Sequence, residues 1–263
     1  MASKKPLVAV HKFTSCDGCQ LTILDCEEVF ADLVDAVDIV YFMEAKSDFG
    51  PGPFDISFAE GSISTEEEIE RIKLIRASSQ TLVALGVCAT AGGIQGLRNY
   101  GDFDKMMRAV YPHPEDVRAL PKSLPYSDFV KVDYALQGCP IDRWQFVTVL
   151  TSLLAGKAPM LETGSVCLEC KRKGNVCVLV AKNMPCMGPV THNGCGALCP
   201  SYGRDCYACF GPMDAPNSTR LAREFALRGF PHDEVERRYR KITSWAKSFR
   251  EGLAKYESET HQR

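Results

Sequence analysis

Short apolar runs alternate with helical patterns over the first 160 residues. "LVAVHKF" (7–13) predicts a strand and Asp17 to Leu33 a helix; "VDIVYF" (37–42) and "DISFAE" (55–60) predict two more strands. "SISTEEEIERIKLIRAS" opens a helix, because Ser64 with Glu67 and Thr65 with Glu68 both fit a capping box and Ile69, Ile72 and Ile75 share one face. "TLVALGV" (81–87) is apolar almost throughout, as expected of a strand covered on both faces. "KVDYALQ" (131–137) reads as another strand, followed by a helix from Ile141 to Ala155 with Trp144, Val147, Leu150 and Leu154 inward. This alternation predicts an α/β fold with a doubly wound parallel sheet.

Two stretches break the pattern. "YPHPEDVRALPKSLPYSD" (111–128) holds Pro112, Pro114, Pro121 and Pro125 and predicts an irregular surface excursion. From Cys167 to Cys209, eight of 43 residues are cysteine, with many glycines and prolines. Such a segment buries too little apolar surface to fold alone, so something must staple it. Beyond Pro216, Val235, Tyr239, Ile242, Ala246, Phe249, Leu253 and Tyr256 recur at helical spacing and predict one amphipathic tail helix.

Composition narrows the function. A formal net charge of −2 gives no bulk electrostatic support for a nucleic-acid partner. No apolar run nears the ~18 residues of a membrane span, so no integral membrane segment is expected. The opening "MASKKPLVAVHKF" loses its apolar run at His11 and Lys12, too early for a secretory segment, which predicts a cytoplasmic chain. Thirteen cysteines in a reducing compartment point to metal binding rather than disulfides.

On the α/β map, Cys16 and Cys19 follow the first strand and open the first helix. Cys88 follows "TLVALGV", and Cys139 follows "KVDYALQ". All four fall just past carboxyl ends of strands, the edge where open α/β sheets bind ligands. Converging thiolates suit zinc or an iron–sulfur cluster, but one tight pair with two distant singles departs from the paired spacing usual for zinc. A cluster carries net negative charge and gains from a helix N-terminus. Glu60 ends a strand at the same edge and is expected in the cluster surroundings, or else is an ordinary carboxylate before Gly61. Cys26 reads as a core residue, since free cysteine packs as a small apolar group.

The second block runs C167-x2-C170-x6-C177-x8-C186, then C195-x3-C199-x6-C206-x2-C209, and each half ends in Cys-x-Gly-Pro. This degenerate duplication is reminiscent of two-cluster ferredoxins, in which the fourth cysteine of each run ligates the other cluster. That interleaving gives Cys167, Cys170, Cys177 and Cys209 for one cluster and Cys186, Cys195, Cys199 and Cys206 for the other. Two zinc knuckles are the alternative. His192 reads as a solvent-facing or hydrogen-bonding histidine rather than a ligand. Lys171, Arg172 and Lys173 are either a solvated charge run or residues that raise a neighbouring cluster's potential or contact a partner.

The ordered set "TSCDGCQ", "FAEGSIST", "GVCATAGGIQG", "QGCPID", "CLECKRKGNVCVL" and "PCMGPVTHNGCGALCPSYGRDCYACFGP" resembles the small subunits of [NiFe]-hydrogenases, specifically the delta subunits of cytoplasmic NAD(P)-linked sulfhydrogenases. The resemblance implies a flavodoxin-like domain (1–160) with a proximal [4Fe-4S] cluster on Cys16, Cys19, Cys88 and Cys139. It implies a ferredoxin-like domain (161–215) with medial and distal clusters, and C-terminal helices (216–263). With the interleaving above, the medial [4Fe-4S] cluster takes Cys167, Cys170, Cys177 and Cys209, and the distal one Cys186, Cys195, Cys199 and Cys206. Implied partners are a large subunit holding the Ni–Fe site, where H₂ is cleaved, and iron–sulfur and flavin subunits that reduce NAD(P)⁺. No catalytic residue is then expected in this chain. The periplasmic relatives' twin-arginine leader, distal histidine ligand and three-iron medial cluster have no counterpart in these motifs. Two alternatives stand: a complex I-like cluster subunit reducing quinone, and a zinc-stapled interaction module without redox activity.

Overall fold

A computed structural model describes residues 5–26, 29, 31 and 35–260. It divides into two compact units, Met1–Leu161 and Glu162–Arg263. In the first, β1 (Leu7–Lys12), β2 (Asp38–Phe42), β3 (Phe54–Glu60), β4 (Ser79–Leu85) and β5 (Tyr134–Leu136) form one sheet in the order β2-β1-β3-β4-β5. Every pairing is parallel. This is the flavodoxin-like doubly wound order, with its switch point between β1 and β3.

Helices among the described residues include α1 (Gly18–Leu24), α2 (Glu66–Ser78), α3 (Gly86–Ala91), α4 (Phe103–Val110) and α5 (Arg143–Leu154). Alternate strand residues feed two cores. Val8, Val10, Ile56, Phe58, Val83, Leu85 and Leu136 pack with Ile23 of α1 and Phe146, Val149 and Leu150 of α5. On the opposite face, Ala59, Leu82 and Ala84 pack with Ile72 and Ile75 of α2. That two-residue period is why the β4 run reads as apolar throughout.

Local chemistry sets the ends of α2. The Thr65 hydroxyl accepts the Glu68 N–H at 3.1 Å, and the Glu68 carboxylate accepts the Thr65 N–H at 3.2 Å. Of the two capping boxes open in the sequence, Thr65–Glu68 forms. On α5 the expected inward face is rotated: Trp144 is 46% exposed under the Arg143 guanidinium, and Phe146 takes the core position. Of the helix expected from Asp17 to Leu33, α1 is seen, whereas Leu33 lies outside the described residues; Cys26 follows the helix end and is buried in the α1–α5 core. The proline-rich excursion is only half surface: Ser123 and Tyr126 are wholly buried, and Leu124 exchanges backbone hydrogen bonds with Ile63. Its second half closes the α2-side core, a burial the prolines gave no hint of.

His11 is buried on β1, its ring 4.7 Å from Tyr41 and 5.4 Å from Phe54 between centroids. Burial first, then the Arg71 charge, lowers its pKa to about 3, so it is neutral when folded. The unfolded chain binds a proton to it below about 6.5, so stability is full above that pH and falls as pH drops toward 3, by roughly 1.4 kcal/mol per unit. Between pH 6.5 and 5 the wild type is therefore expected to lose about 2 kcal/mol, or roughly 5 °C of melting temperature, relative to His11→Leu. A difference in melting temperature that stays constant with pH would refute this.

The second unit holds α6 (Val166–Arg172), α7 (Val178–Ala181), α8 (Leu198–Ser201), α9 (Ser218–Leu227), α10 (His232–Tyr239) and α11 (Lys247–Thr260). The tail is not one helix. It breaks between α10 and α11, where Thr243 and Ser244 are buried and the Thr243 hydroxyl donates to the Ala208 carbonyl at 2.9 Å. Phe225, Tyr239, Phe249, Leu253 and Tyr256 are buried in these tail helices. Arg238 pairs with the buried Asp205, and Arg228 donates to the Leu179 carbonyl at 3.1 Å. The tail thus belongs to the same compact unit as the cysteine block and supplies apolar surface that the block lacks. Among the described residues, no helix is long and apolar enough to cross a membrane.

Candidate metal centres

In the first unit, Cys16 lies in the loop after β1, Cys19 in the first turn of α1, Cys88 in the first turn of α3 directly after β4, and Cys139 beyond β5. Two glycines show how closely these segments meet. Gly86 has φ +75, and a Cβ there would sit 2.5 Å from Cys19 Sγ; Gly93 has φ +66, and its Cβ would sit 2.6 Å from Cys88 Sγ. Both positions need the left-handed backbone and the missing side chain. The site of a Cβ on Gly18 is 3.5 Å from Cys16 Sγ and 3.7 Å from Pro140, next to Cys139. Residues from three strand ends thus converge at one edge of the sheet.

Glu60, 1% exposed at the end of β3, accepts the Cys19 N–H at 3.1 Å through Oε1, and its Oε2 is buried with no hydrogen-bond partner among the described residues. Burial raises its pKa. A polar shell stands behind the cysteines. Gln95 donates to the Thr14 carbonyl and the Ser62 hydroxyl, both at 2.9 Å, and its carboxamide oxygen lies 3.8 Å from Cys88 Sγ. The Thr14 hydroxyl donates to Glu68 at 2.9 Å, so the α2 cap also anchors the loop carrying Cys16. Lys12 and Asp17 pair at 2.6 Å, holding Asp17 at φ 65 at the start of α1.

In the second unit, Cys167, Cys170, Cys177 and Cys186 line one pocket walled by Val166, Val178, Leu179, Pro189 and Pro200. The site of a Cβ on Gly188 is 3.4 Å from Cys186 Sγ and 3.5 Å from Cys167 Sγ. The interleaved set expected Cys209 there and Cys186 elsewhere. In this pocket Cys186 lies with the three cysteines before it, with Gly188 against Cys186 and Cys167, and Cys209 is not among the lining residues. For the second half, the Arg204 N–H donates to the Cys199 carbonyl at 3.0 Å, bringing Cys199 to the turn that carries Cys206. The two halves touch where the Cys206 N–H donates to Cys186 Sγ at 3.3 Å.

Burial pushes the Cys88 and Cys167 thiols each up to about 11 and raises Cys19, Cys139, Cys186, Cys195 and Cys206 as well. Metal binding must therefore displace protons, so loading is favoured by rising pH. Among the described residues, no three His, Cys, Asp or Glu side chains converge closely enough to share a single metal ion. Thiols spread around an apolar pocket fit a polynuclear cluster, in which each thiolate takes its own iron.

Glu169, between Cys167 and Cys170, has a role that no sequence motif announces. Its carboxylate accepts the N–H groups of Gly194 (2.8 Å), Gly196 (3.1 Å) and Ala197 (3.1 Å), shaping the turn around Cys195. A carboxylate enclosed in a Cys-x-x-Cys pair was its only signal. Glu169→Ala is expected to lower hydrogen-exchange protection of those three amides by roughly 30-fold, the equivalent of about 2 kcal/mol of charge-assisted hydrogen bonding. Unchanged protection would remove it from this role. The His192 ring lies 2.6 Å from the Asn193 carbonyl through Nδ1, so of the two expectations it is the hydrogen-bonded one. Lys171, Arg172 and Lys173 are exposed, and Arg172 pairs with Glu162 at 2.7 Å.

The chain belongs to the family of the NADH ubiquinone oxidoreductase 20 kDa subunit, whose model matches residues 16–153. Within that family it is a hydrogenase small subunit. It is 34% identical over 90% of its length to sulfhydrogenase 2 subunit delta of Pyrococcus furiosus, covering 99% of that protein. It is 30% identical to the delta subunit of the NAD-reducing hydrogenase HoxS of Cupriavidus necator, over 57% of this chain and 79% of that one. Among solved structures, a chain of an NAD⁺-reducing [NiFe]-hydrogenase in the H₂-reduced state matches with TM-score 0.56 and 26% identity, over 60% of this chain and 96% of that one.

Proposed function

We propose that this chain is the electron-relay subunit of a cytoplasmic [NiFe]-hydrogenase, carrying three [4Fe-4S] clusters between the Ni–Fe site of a large subunit and flavin-bearing, NAD(P)-linked partner subunits. The observation that carries the reading is the thiol arrangement. Four cysteines from three strand ends meet at the sheet edge, and eight more stand in a second unit in two touching halves. The first site is assigned to Cys16, Cys19, Cys88 and Cys139. The second is assigned to Cys167, Cys170, Cys177 and Cys186, and the third to Cys195, Cys199, Cys206 and Cys209. When bound, each cluster supplies a one-electron carrier.

The chain's own residues hold these carriers and set their surroundings. The N–H groups at the starts of α1 and α3 favour a negatively charged occupant at the first site. Glu60 stands against the Cys19 backbone, where its charge state bears on the potential. The Cys206 N–H on Cys186 Sγ stabilises negative charge on that sulfur and links the second and third sites directly. Val166, Val178, Leu179 and Pro189 give the second site apolar walls.

The similarity to subunits of a sulfhydrogenase and of an NAD⁺-reducing hydrogenase supports this reading. A complex I-like role is disfavoured, because the family match stops at residue 153 whereas the match to the sulfhydrogenase subunit covers 90% of the chain. The test is hydrogen turnover. The isolated subunit should neither take up nor release H₂, and the copurified complex should reduce viologen dyes with H₂. Turnover by the isolated subunit would overturn the reading.

A further inference from the structure

The second unit exposes apolar side chains beside the proposed ligands, and they share one region. Val176 and Val180, each 69% exposed, flank the exposed Cys177. Leu198 (59%) and Tyr202 (80%) are one helical turn apart on either side of Cys199. The two segments meet: Asn175 donates to the Ser201 hydroxyl at 3.0 Å, and Lys182 Nζ donates to the Gly203 carbonyl at 3.4 Å. Pro200 and Cys177 line the same pocket. Large apolar groups this exposed, gathered at one place, mark an interaction surface.

The unpaired charge bordering this patch is basic, since Arg172 is taken up by Glu162. Between residues 163 and 204 the basic residues are Lys171, Arg172, Lys173, Lys182 and Arg204, and the only carboxylate is Glu169. Glu169 is occupied by three backbone N–H groups, and the neighbouring Asp205 is buried against Arg238. Lys173 lies over Gly196, and Lys182 beside Gly203, so both ammonium groups border the apolar patch.

We propose that this face docks an electron-carrying protein whose own redox centre is ringed by acidic residues, with Val176, Val180, Leu198 and Tyr202 as the apolar contact and Lys173 and Lys182 as the steering charges. The proposal rests on the reading of Cys167, Cys170, Cys177 and Cys186 as cluster ligands. One electron passes from the reduced cluster to the oxidised carrier, and no bond forms or breaks. Apolar contact allows the close approach that such a transfer needs, and the cationic rim selects an anionic partner and raises the encounter rate.

The test uses the hydrogenase complex under H₂ with three acceptors: an acidic two-iron ferredoxin, a cationic cytochrome c and methyl viologen. Reduction of the ferredoxin is expected to slow by about tenfold or more from low to high salt, whereas that of the cytochrome does not slow. The double variant Lys173→Glu, Lys182→Glu should slow the ferredoxin about tenfold at low salt and leave viologen reduction at high salt unchanged. Tyr202→Ser should slow the ferredoxin at every salt concentration. If viologen is reduced normally but neither variant alters the ferredoxin rate, the docking face is overturned while the relay reading stands. If the native complex passes no electrons from H₂ to any acceptor, the relay reading falls and the docking face with it.

Discussion

Alanine in place of Cys88 is expected to empty the first site and cut H₂-driven reduction of any downstream acceptor by roughly 100-fold or more. Cys88 stands in the first turn of α3, directly after β4, against Gly93 and the Gln95 carboxamide. Alanine there removes the thiolate while Gly93 and Gln95 stay in place. The buried Cys26 provides the contrast. It packs among Ile23, Phe42 and Phe146 in the α1–α5 core, and its alanine variant should cost about 1–2 kcal/mol of stability while leaving iron content and electron transfer intact. Equal effects from the two variants would mean that Cys88 is only a packing residue.

Alanine at Gly86 or Gly93 is expected to act almost as severely with every ligand still present. The new methyl would lie 2.5 Å from Cys19 Sγ in one case and 2.6 Å from Cys88 Sγ in the other, well inside van der Waals contact, and at a φ that L-residues avoid. Each variant should hold about four fewer irons per chain than the wild type. Gly156 and Gly174 separate steric from conformational cost. They have φ +67 and +69 with nothing within 4 Å of a Cβ, so alanine there should cost only about 1 kcal/mol and no iron. Iron loss from all four variants would attribute the effect to backbone strain rather than to crowding of the thiols.

The α/β architecture was legible because parallel strands covered on both faces leave near-continuous apolar runs, and because cysteines at the ends of those runs fall at a sheet edge by topology alone. Trp144 was misplaced because apolar spacing does not register that the Arg143 guanidinium can cover the ring at the surface. The tail read as one helix because its apolar residues keep helical spacing across the break; the break is set by tertiary burial of Thr243 and Ser244. That Cys186 lines one pocket with Cys167, Cys170 and Cys177 was not legible from spacing, because a repeat pattern carries no record of how the chain turns at Gly188. Glu169 and Gln95 act through backbone groups and a carboxamide contact distant in sequence, which no local motif announces.

The proposed relay requires twelve of the thirteen cysteines to hold three four-iron clusters. Metal and acid-labile sulfide analysis of the anaerobically purified chain tests it most directly. About twelve irons and as many sulfides per chain, with no stoichiometric zinc, is the expected result. Two or three zinc ions with no sulfide would contradict it.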